Sequence, residues 1–165
     1  MMLTSLFNPL MKLVVLIFIS TLTLCAPVDA KPFALKSLKT EKVIEPMNDV
    51  ATITMIFQPD CSWCKKQGKT LAEAFEQCQS SVNISLVGAK GSNRQLRKAL
   101  KHYHKSIPAY KADSKFLREI GGYQASPTTL IYDANGQLIT KKRGFISHEK
   151  LAQALNIISH GNCVI

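Results

Sequence analysis

The chain has 165 residues, the length of about one domain once processing segments are set aside. Hydrophobic residues make up 46% of it and charged residues 19%, an ordinary balance for a globular protein with one core. Lys and Arg number 21 against 11 Asp and Glu, so the formal net charge is +10. The basic residues are scattered and not interleaved with aromatic residues, which argues against nucleic-acid binding and favours a solvated basic surface.

Residues 1–30 are predicted to be a signal peptide. Lys12 is followed by an apolar run over 13–24, the length of a signal-peptide core. A spanning helix needs about 20 apolar residues, so the run is too short for that role. Val28 and Ala30 place β-branched and small side chains where cleavage needs them, so we expect the chain to be cut rather than anchored.

Two details of this segment bear on its processing. Met11 is an alternative start, because residues 1–10 lack the positive charge that opens a signal peptide. Leu24 is large for the position before a lipid-modified cysteine, which argues against a lipoprotein at Cys25. We therefore expect a periplasmic or otherwise exported protein. Removing Cys25 from the five cysteines leaves four, an even number that permits two disulfides in an oxidising compartment: Cys61, Cys64, Cys78 and Cys163.

The mature chain predicts an N-terminal arm over 31–49, with room for one short strand, and an α/β domain over 50–165. The β-branched, apolar run over 51–57 predicts a buried strand that ends before Pro59. Apolar or small residues at helical spacing predict a helix from Cys64 to Cys78. Gly68 within that helix is expected to let it approach the sheet closely.

The later elements follow the same kinds of signal. They are a strand over 82–87, a helix opened by a capping box of Ser92 and Gln95, an extended piece over 107–110, a brief helix that begins at Asp113 or Ser114, strands over 128–133 and 137–143, and a helix that begins at Ser147. Asn135-Gly136 predicts a hairpin with both turn residues at positive φ. This order predicts a mixed central sheet with helices on both faces.

Cys61 and Cys64 lie where the buried strand gives way to the helix. Unpaired N–H groups and the dipole at a helix N-terminus favour an anion, so the pKa of a thiol there falls. Lys65 and Lys66 add positive potential. We therefore expect Cys61 to be the exposed nucleophile and Cys64 the inward-facing thiol that resolves a mixed disulfide.

The main alternative for this pair is half of a zinc site, which needs two further ligands. Cys78 and Cys163 are single and far apart in the chain. His102 and His104 are two residues apart on a predicted helix and so point to different sides. We expect no metal and no other cofactor.

The motifs together resemble the thioredoxin superfamily over about residues 50–158. Cys61-Ser62-Trp63-Cys64 follows a strand, Ser126-Pro127-Thr128 precedes a hairpin, and Gly144 precedes the last helix. The stretch 123–145 is similar to the exported TlpA-like branch of that superfamily. The resemblance implies a thioredoxin-like α/β fold.

The resemblance also implies roles for three residues near the cysteines. Pro127 is expected to be cis and to face the pair, although a trans turn is the default for such a proline from the residues alone. The backbone of Ser126 is expected to pair with an extended substrate segment. Trp63 is expected to be a partly exposed apolar lip for partners, the alternative being simple packing against its helix.

Two departures from the thioredoxin pattern stand out. Asp60 and Met55 hold the positions of the Trp before the first cysteine and of the buried Asp in the preceding strand. The resemblance therefore supplies no buried acid to accept the proton of Cys64. Ser62-Trp63 replaces Gly-Pro between the cysteines and is closer to the small-aromatic pair of exported isomerases.

If the fold of this family holds, the helix that ends at Cys78 and the helix that ends near Ser159 lie on the same face of the sheet, so that Cys163 in the tail comes close to Cys78. A structural disulfide between them, tying down the C-terminal tail, is then one hypothesis. The alternative is that Cys78 is an ordinary buried thiol and Cys163 a free or intermolecular one. A bridge would contribute about 2–4 kcal/mol of stability.

The function expected from these features is thiol:disulfide exchange with exported proteins that carry thiols or disulfides. A membrane or periplasmic protein would be the redox partner. The TlpA-like resemblance favours a reductase, and a single domain without an evident dimerisation segment favours a monomer over an isomerase. The alternatives are a metal- or haem-delivery module that uses the cysteines as ligands, and a non-catalytic assembly partner of an envelope complex.

Overall fold

A computed structural model describes residues 34–40, 42–44 and 49–165; the predicted signal peptide lies outside these residues. The strands within them are β1 (Leu35–Ser37), β2 (Val43–Ile44), β3 (Thr52–Phe57), β4 (Asn83–Gly88), β5 (Ala109–Lys111), β6 (Thr128–Tyr132) and β7 (Leu138–Arg143). The α-helices are α1 (Ser62–Cys78), α2 (Asn93–Ala99), α3 (Ser114–Glu119) and α4 (His148–Ile158). A 3₁₀ turn over Leu100–His102 continues α2.

The described strands form one sheet in the order β2-β1-β5-β4-β3-β6-β7. Strand β3 is parallel to β4 and antiparallel to β6, and all six of its residues are buried. The segment predicted as an arm contributes β1 and β2 to one edge of the sheet, where β1 pairs with β5. The predicted mixed sheet is confirmed.

Helices cover both faces of the sheet, as predicted. One core contains Leu71 of α1, Leu96 of α2 and Leu155 of α4. The other contains Phe116 of α3, packed with Ile56 of β3. Because the side chains of a strand alternate between faces, the buried β3 contributes to both cores.

Side-chain caps start three helices where the sequence predicts. Ser92 and Gln95 form the capping box of α2, and Ser147 caps α4. Of the two candidates for α3, Asp113 is the cap: its Oδ1 accepts a hydrogen bond of 2.7 Å from the backbone N–H of Phe116. Each cap satisfies an N–H group that the helix itself leaves unpaired.

The turn between β6 and β7 differs from the prediction. Gly136 has a φ of +77°, but Asn135 is not in the positive-φ region, so the two-residue turn with both φ positive is wrong. The carboxylate of Asp133 accepts hydrogen bonds from the N–H groups of Asn135 and Gln137, and the Gly136 N–H bonds the Asp133 carbonyl. An Asp at the start of a turn favours this arrangement over the tighter one.

Gly68 makes room for a ring rather than for the sheet itself. A Cβ atom at residue 68 would lie 2.5 Å from Cδ1 of Tyr103. The Tyr103 ring also packs on Phe57 of β3, with centroids 5.2 Å apart. The ring of Tyr103 therefore contacts both α1 and β3, a long-range contact that helical spacing alone does not show.

We expect Gly68→Ala to destabilise the protein. Alanine gains about 1 kcal/mol of helix propensity over glycine, but overpacking a filled space costs about 1–3 kcal/mol. The ring cannot yield without losing its contact with Phe57. Urea unfolding should therefore show a lower midpoint for Gly68→Ala, and one near wild type for Lys69→Ala at the exposed next residue. A raised midpoint for Gly68→Ala would contradict the packing argument.

The structure joins Cys78 to Cys163. Their sulfur atoms are 2.00 Å apart and their Cα atoms 5.2 Å apart, across 85 residues of sequence. Both side chains are buried in the core that contains α1 and α4. The bond connects the C-terminal end of α1 to the tail that follows α4.

Breaking this bond should lower stability by about 2–4 kcal/mol, because it closes a long loop of the unfolded chain. We expect Cys163→Ser and the double variant Cys78→Ser/Cys163→Ser to show similar losses in urea unfolding. Mass spectrometry of the alkylated, oxidised wild type should find the Cys78–Cys163 peptide pair. A Cys61–Cys78 link or an intermolecular link would overturn the assignment.

Candidate redox site

The junction between β3 and α1 positions Cys61. Strand β3 ends at Phe57, and Asp60 reverses the chain with a φ of +60°, a conformation that L residues adopt rarely. Cys61 is then the N-cap of α1 in extended conformation, and its Sγ accepts a hydrogen bond of 3.1 Å from the Cys64 N–H. The sulfur occupies the place where Ser or Asp usually satisfies a free helix N–H.

Cys61 and Cys64 form a disulfide, with 2.07 Å between the sulfurs and 5.2 Å between the Cα atoms. Cys61 keeps 9% of its surface accessible and Cys64 keeps none. The expected order of accessibility holds, but Cys61 is less exposed than predicted. Both cysteines belong to the core that contains α1, because the N-cap position turns the first sulfur toward that core as well.

The electrostatics at the start of α1 favour a thiolate. The first turn of α1 contains no acidic residue, so the helix dipole and its free N–H groups favour an anion there, although Asp60 carries a negative charge just before Cys61. Desolvation, followed by the positive charges of Lys65 and Lys101, lowers the pKa of His102 below its ordinary value. Asp60 acts on the pKa of His102 in the opposite sense, so charges of both signs lie beside the first turn of α1.

Pro127 immediately precedes β6, the strand that pairs with the one leading to Cys61. The Ser126–Pro127 peptide bond is cis. Thr128, the next residue, lies opposite Ile56 of β3, so the register places Pro127 at the same edge of the sheet as the cysteines. The hydroxyl of Ser126 contacts the hydroxyl of Tyr123, and the Gly144 N–H donates to the Pro127 carbonyl over 2.8 Å.

Trp63 forms an aromatic cluster beside the pair. Its side chain is 53% exposed. The ring centroids of Trp63 and Phe145 are 5.2 Å apart, and Nζ of Lys66 lies 5.3 Å from the first ring and 4.9 Å from the second. Trp63 thus packs on a residue of the β7–α4 loop and still presents half its surface to solvent.

Gln67 is a feature of the site that the sequence analysis missed. It is fully buried one turn after Cys64, and its Nε2 donates a hydrogen bond of 2.7 Å to Oγ1 of Thr129 in β6. Its Oε1 accepts one of 2.9 Å from the N–H of Ile146. Gln67 lies three residues after Cys64 and four before Leu71, so its place on the buried face of α1 was the available signal.

No buried acidic side chain is present at the position where thioredoxins have one. Met55, at the position of the thioredoxin acid, is fully buried and lies opposite Thr129.

The residues described, 34–40, 42–44 and 49–165, hold no group of three His, Cys, Asp or Glu side chains suited to a metal. Over the same ranges no helix has the length and apolarity to cross a membrane.

A Cys-x-x-Cys pair at a strand-to-helix junction, beside a cis-proline strand, defines a thioredoxin-type architecture. Comparison with family models agrees, since the thioredoxin-like domain model matches residues 39–158. The chain belongs to the thioredoxin-like domain family. Among curated proteins no match is found.

Solved structures with the same fold come from several bacteria. A thiol:disulfide interchange protein from Chlorobium tepidum has a TM-score of 0.69 at 16% identity, covering 79% of this chain and 94% of its own. A secreted Mycobacterium tuberculosis disulfide oxidoreductase, homologous to E. coli DsbE, has 0.64 at 12%, covering 76% and 95%. The exposed lipoprotein thioredoxin Etrx1 of Streptococcus pneumoniae has 0.65 at 20%, covering 76% and 98%.

Removing the buried amide should destabilise the site. We expect Gln67→Leu to cost about 1–3 kcal/mol, because the Thr129 hydroxyl and the Ile146 N–H lose their partner. Urea unfolding measures the loss. Gln77→Leu is the matched control, since Gln77 is exposed on the same helix and surface changes are usually within about 0.5 kcal/mol. Equal midpoints for the two variants would show that Gln67 carries no structural role.

Proposed function

We propose that this protein is an exported thiol:disulfide oxidoreductase of the TlpA-like branch that reduces disulfides in other exported proteins. The observation that carries the proposal is the Cys61–Cys64 disulfide at the N-terminus of α1, with Cys61 the more accessible sulfur. Family membership and the position of Pro127 support it.

The reaction proceeds by two thiol–disulfide exchanges. The Cys61 thiolate attacks one sulfur of a substrate disulfide, forms a mixed disulfide and releases the first substrate thiolate. Cys64 loses its proton and attacks Sγ of Cys61, which releases the second substrate thiolate and leaves the Cys61–Cys64 disulfide. The substrate gains two electrons, the protein dithiol loses two, and a redox partner restores the dithiol.

Substrate positioning is assigned to the elements that flank the pair. An extended segment of the substrate pairs with the backbone of Ser126, immediately before Pro127. This pairing brings the disulfide of the substrate to Cys61. Trp63 offers an exposed apolar surface beside that path. Main-chain pairing of this kind is independent of sequence, so one site accepts many proteins.

Export is supported by the predicted signal peptide and by the bond between Cys78 and Cys163, since structural disulfides persist in oxidising compartments. Two structural relatives, one described as secreted and one as an exposed lipoprotein, agree with export. A membrane or periplasmic protein is the proposed electron donor.

Cysteine variants test the activity. Wild type should reduce insulin disulfides, whereas Cys61→Ser should fall to the uncatalysed rate because it lacks the nucleophile. Cys64→Ser should accumulate the mixed disulfide, visible as a covalent adduct without reductant. The control Cys78→Ser/Cys163→Ser should stay active at temperatures where it is folded. Equal activity of wild type and Cys61→Ser would defeat the enzyme proposal.

The direction of electron flow is tested by the reduction potential of the Cys61–Cys64 couple. A reductase should have a potential near about −270 mV, whereas a value near about −120 mV would reassign the protein as an oxidant. Equilibration with glutathione or dithiothreitol buffers, followed by alkylation, measures it.

A further inference from the structure

The rim of the redox site holds a lysine on aromatic rings. Nζ of Lys66 lies 5.3 Å from the Trp63 ring centre and 4.9 Å from that of Phe145. Within the described ranges no carboxylate comes within ion-pairing distance of this ammonium. Contact with ring faces leaves N–H donors of the ammonium directed at solvent. The cation is therefore held in place and available to a ligand.

Lys66 also contacts the β7–α4 loop, which is hydrogen-bonded to Pro127. Phe145, one of its two rings, follows Gly144, whose N–H donates to the Pro127 carbonyl over 2.8 Å. The next residue, Ile146, donates its N–H to the buried Gln67. The ammonium of Lys66 therefore lies against a loop that is hydrogen-bonded to Pro127.

Two more cations flank the cis-proline. Lys90 lies over the ring of Tyr123, 5.6 Å from its centre, and the Tyr123 hydroxyl contacts Ser126. Arg143 lies opposite Thr128 in the β6–β7 register and is exposed. Lys90 is thus linked to Ser126 through Tyr123, and Arg143 pairs with the strand residue that follows Pro127.

The acidic residues near Lys66, Lys90 and Arg143 leave these cations in excess. Glu149, in the first turn of α4, is engaged by hydrogen bonds at the start of its own helix. The carboxylate of Asp113 is engaged as the cap of α3. Asp60 is exposed beside Cys61 and opposes the three cations. Along α1, Glu73 and Glu76 lie farther from the site and contact His148 and His104.

We propose that the substrate segment taken by this site is acidic, an extended chain with Asp or Glu beside its reacting cysteine. This inference rests on the proposed exchange reaction and names its substrate class. In this complex the acidic side chains meet Lys66, Lys90 or Arg143 while the backbone pairs at Ser126. Complementary charge raises the association rate by about 10- to 1,000-fold and weakens with salt. Because Lys90 and Arg143 lie beside the Ser126–Pro127 backbone that pairs with an extended chain in the proposed reaction, a peptide is favoured over a membrane surface as the ligand.

The test uses reduced full-length protein and three peptides with one disulfide each, identical except for Asp, Ser or Lys beside the cysteines. Trp63 is the one tryptophan of the chain and lies between the cysteines, so its fluorescence can follow oxidation in stopped flow. At about 10 mM salt we expect the Asp peptide to react about tenfold faster than the Ser peptide, and the Lys peptide to react slowest. At about 1 M salt, where the screening length is about 3 Å, the rates should converge.

Variants assign the preference to the rim. Lys66→Gln should reduce the Asp-to-Ser rate ratio and Lys66→Glu should abolish it, whereas Lys66→Arg should keep it because the cation and its ring contacts are retained. Lys115→Gln is the control: it makes the same change in net charge on α3, at an exposed site on the opposite face of the sheet. An unchanged ratio in Lys66→Glu would overturn the proposal.

A neutral small disulfide, bis(2-hydroxyethyl) disulfide, separates this proposal from the one on which it rests. Wild type that reduces it but treats the three peptides alike retains the proposed function and loses the acidic preference. Wild type that reduces none of these substrates refutes both. Equal peptide rates together with Lys66-dependent binding to phosphatidylglycerol vesicles would reassign the cationic rim to a membrane surface.

Discussion

The hydrogen bond from the Cys64 N–H to Sγ of Cys61 joins the start of a helix to the redox pair. A spacing of three residues closes this cap, and the same spacing brings the two sulfurs to 2.07 Å. For Cys61 to be the N-cap, the chain must leave β3 and reverse within three residues, at the positive φ of Asp60. The position of Cys61 as the N-cap therefore determines three features together. They are where β3 ends, where α1 begins and the geometry of the disulfide.

The interior beneath the pair is held together by an amide rather than a charge. Gln67 links α1 to β6 and to the loop before α4 through Thr129 and Ile146. A buried amide with both ends bonded avoids the desolvation cost of a carboxylate. No carboxylate is among the buried side chains of the described residues. In the proposed reaction, the proton that Cys64 loses must therefore pass toward solvent or to the departing substrate thiolate.

Local patterns were enough to predict most of the fold. The buried run of β3, the periodicity of α1 and the caps at Ser92 and Ser147 each depend on neighbouring residues, and each was predicted. Gln67 was missed because a buried polar side chain is satisfied only by partners that are 62 and 79 residues away. The contact that requires glycine at position 68 is equally non-local, since Tyr103 is 35 residues further along the chain.

The two disulfides lie at opposite ends of α1 and differ in how accessible their sulfur atoms are to an attacking thiolate. Helix α1 has 17 residues, so its ends are about 25 Å apart. Cys78 and Cys163 are each 1% exposed, whereas Cys61 is 9% exposed. Exchange needs an attacking thiolate to reach a disulfide sulfur in line with the bond, and burial denies that approach. A thiol that enters the site therefore meets Cys61 first, and in the proposed exchange reaction the bond at the far end would hold α1 and the tail in place while the Cys61–Cys64 bond opens and closes.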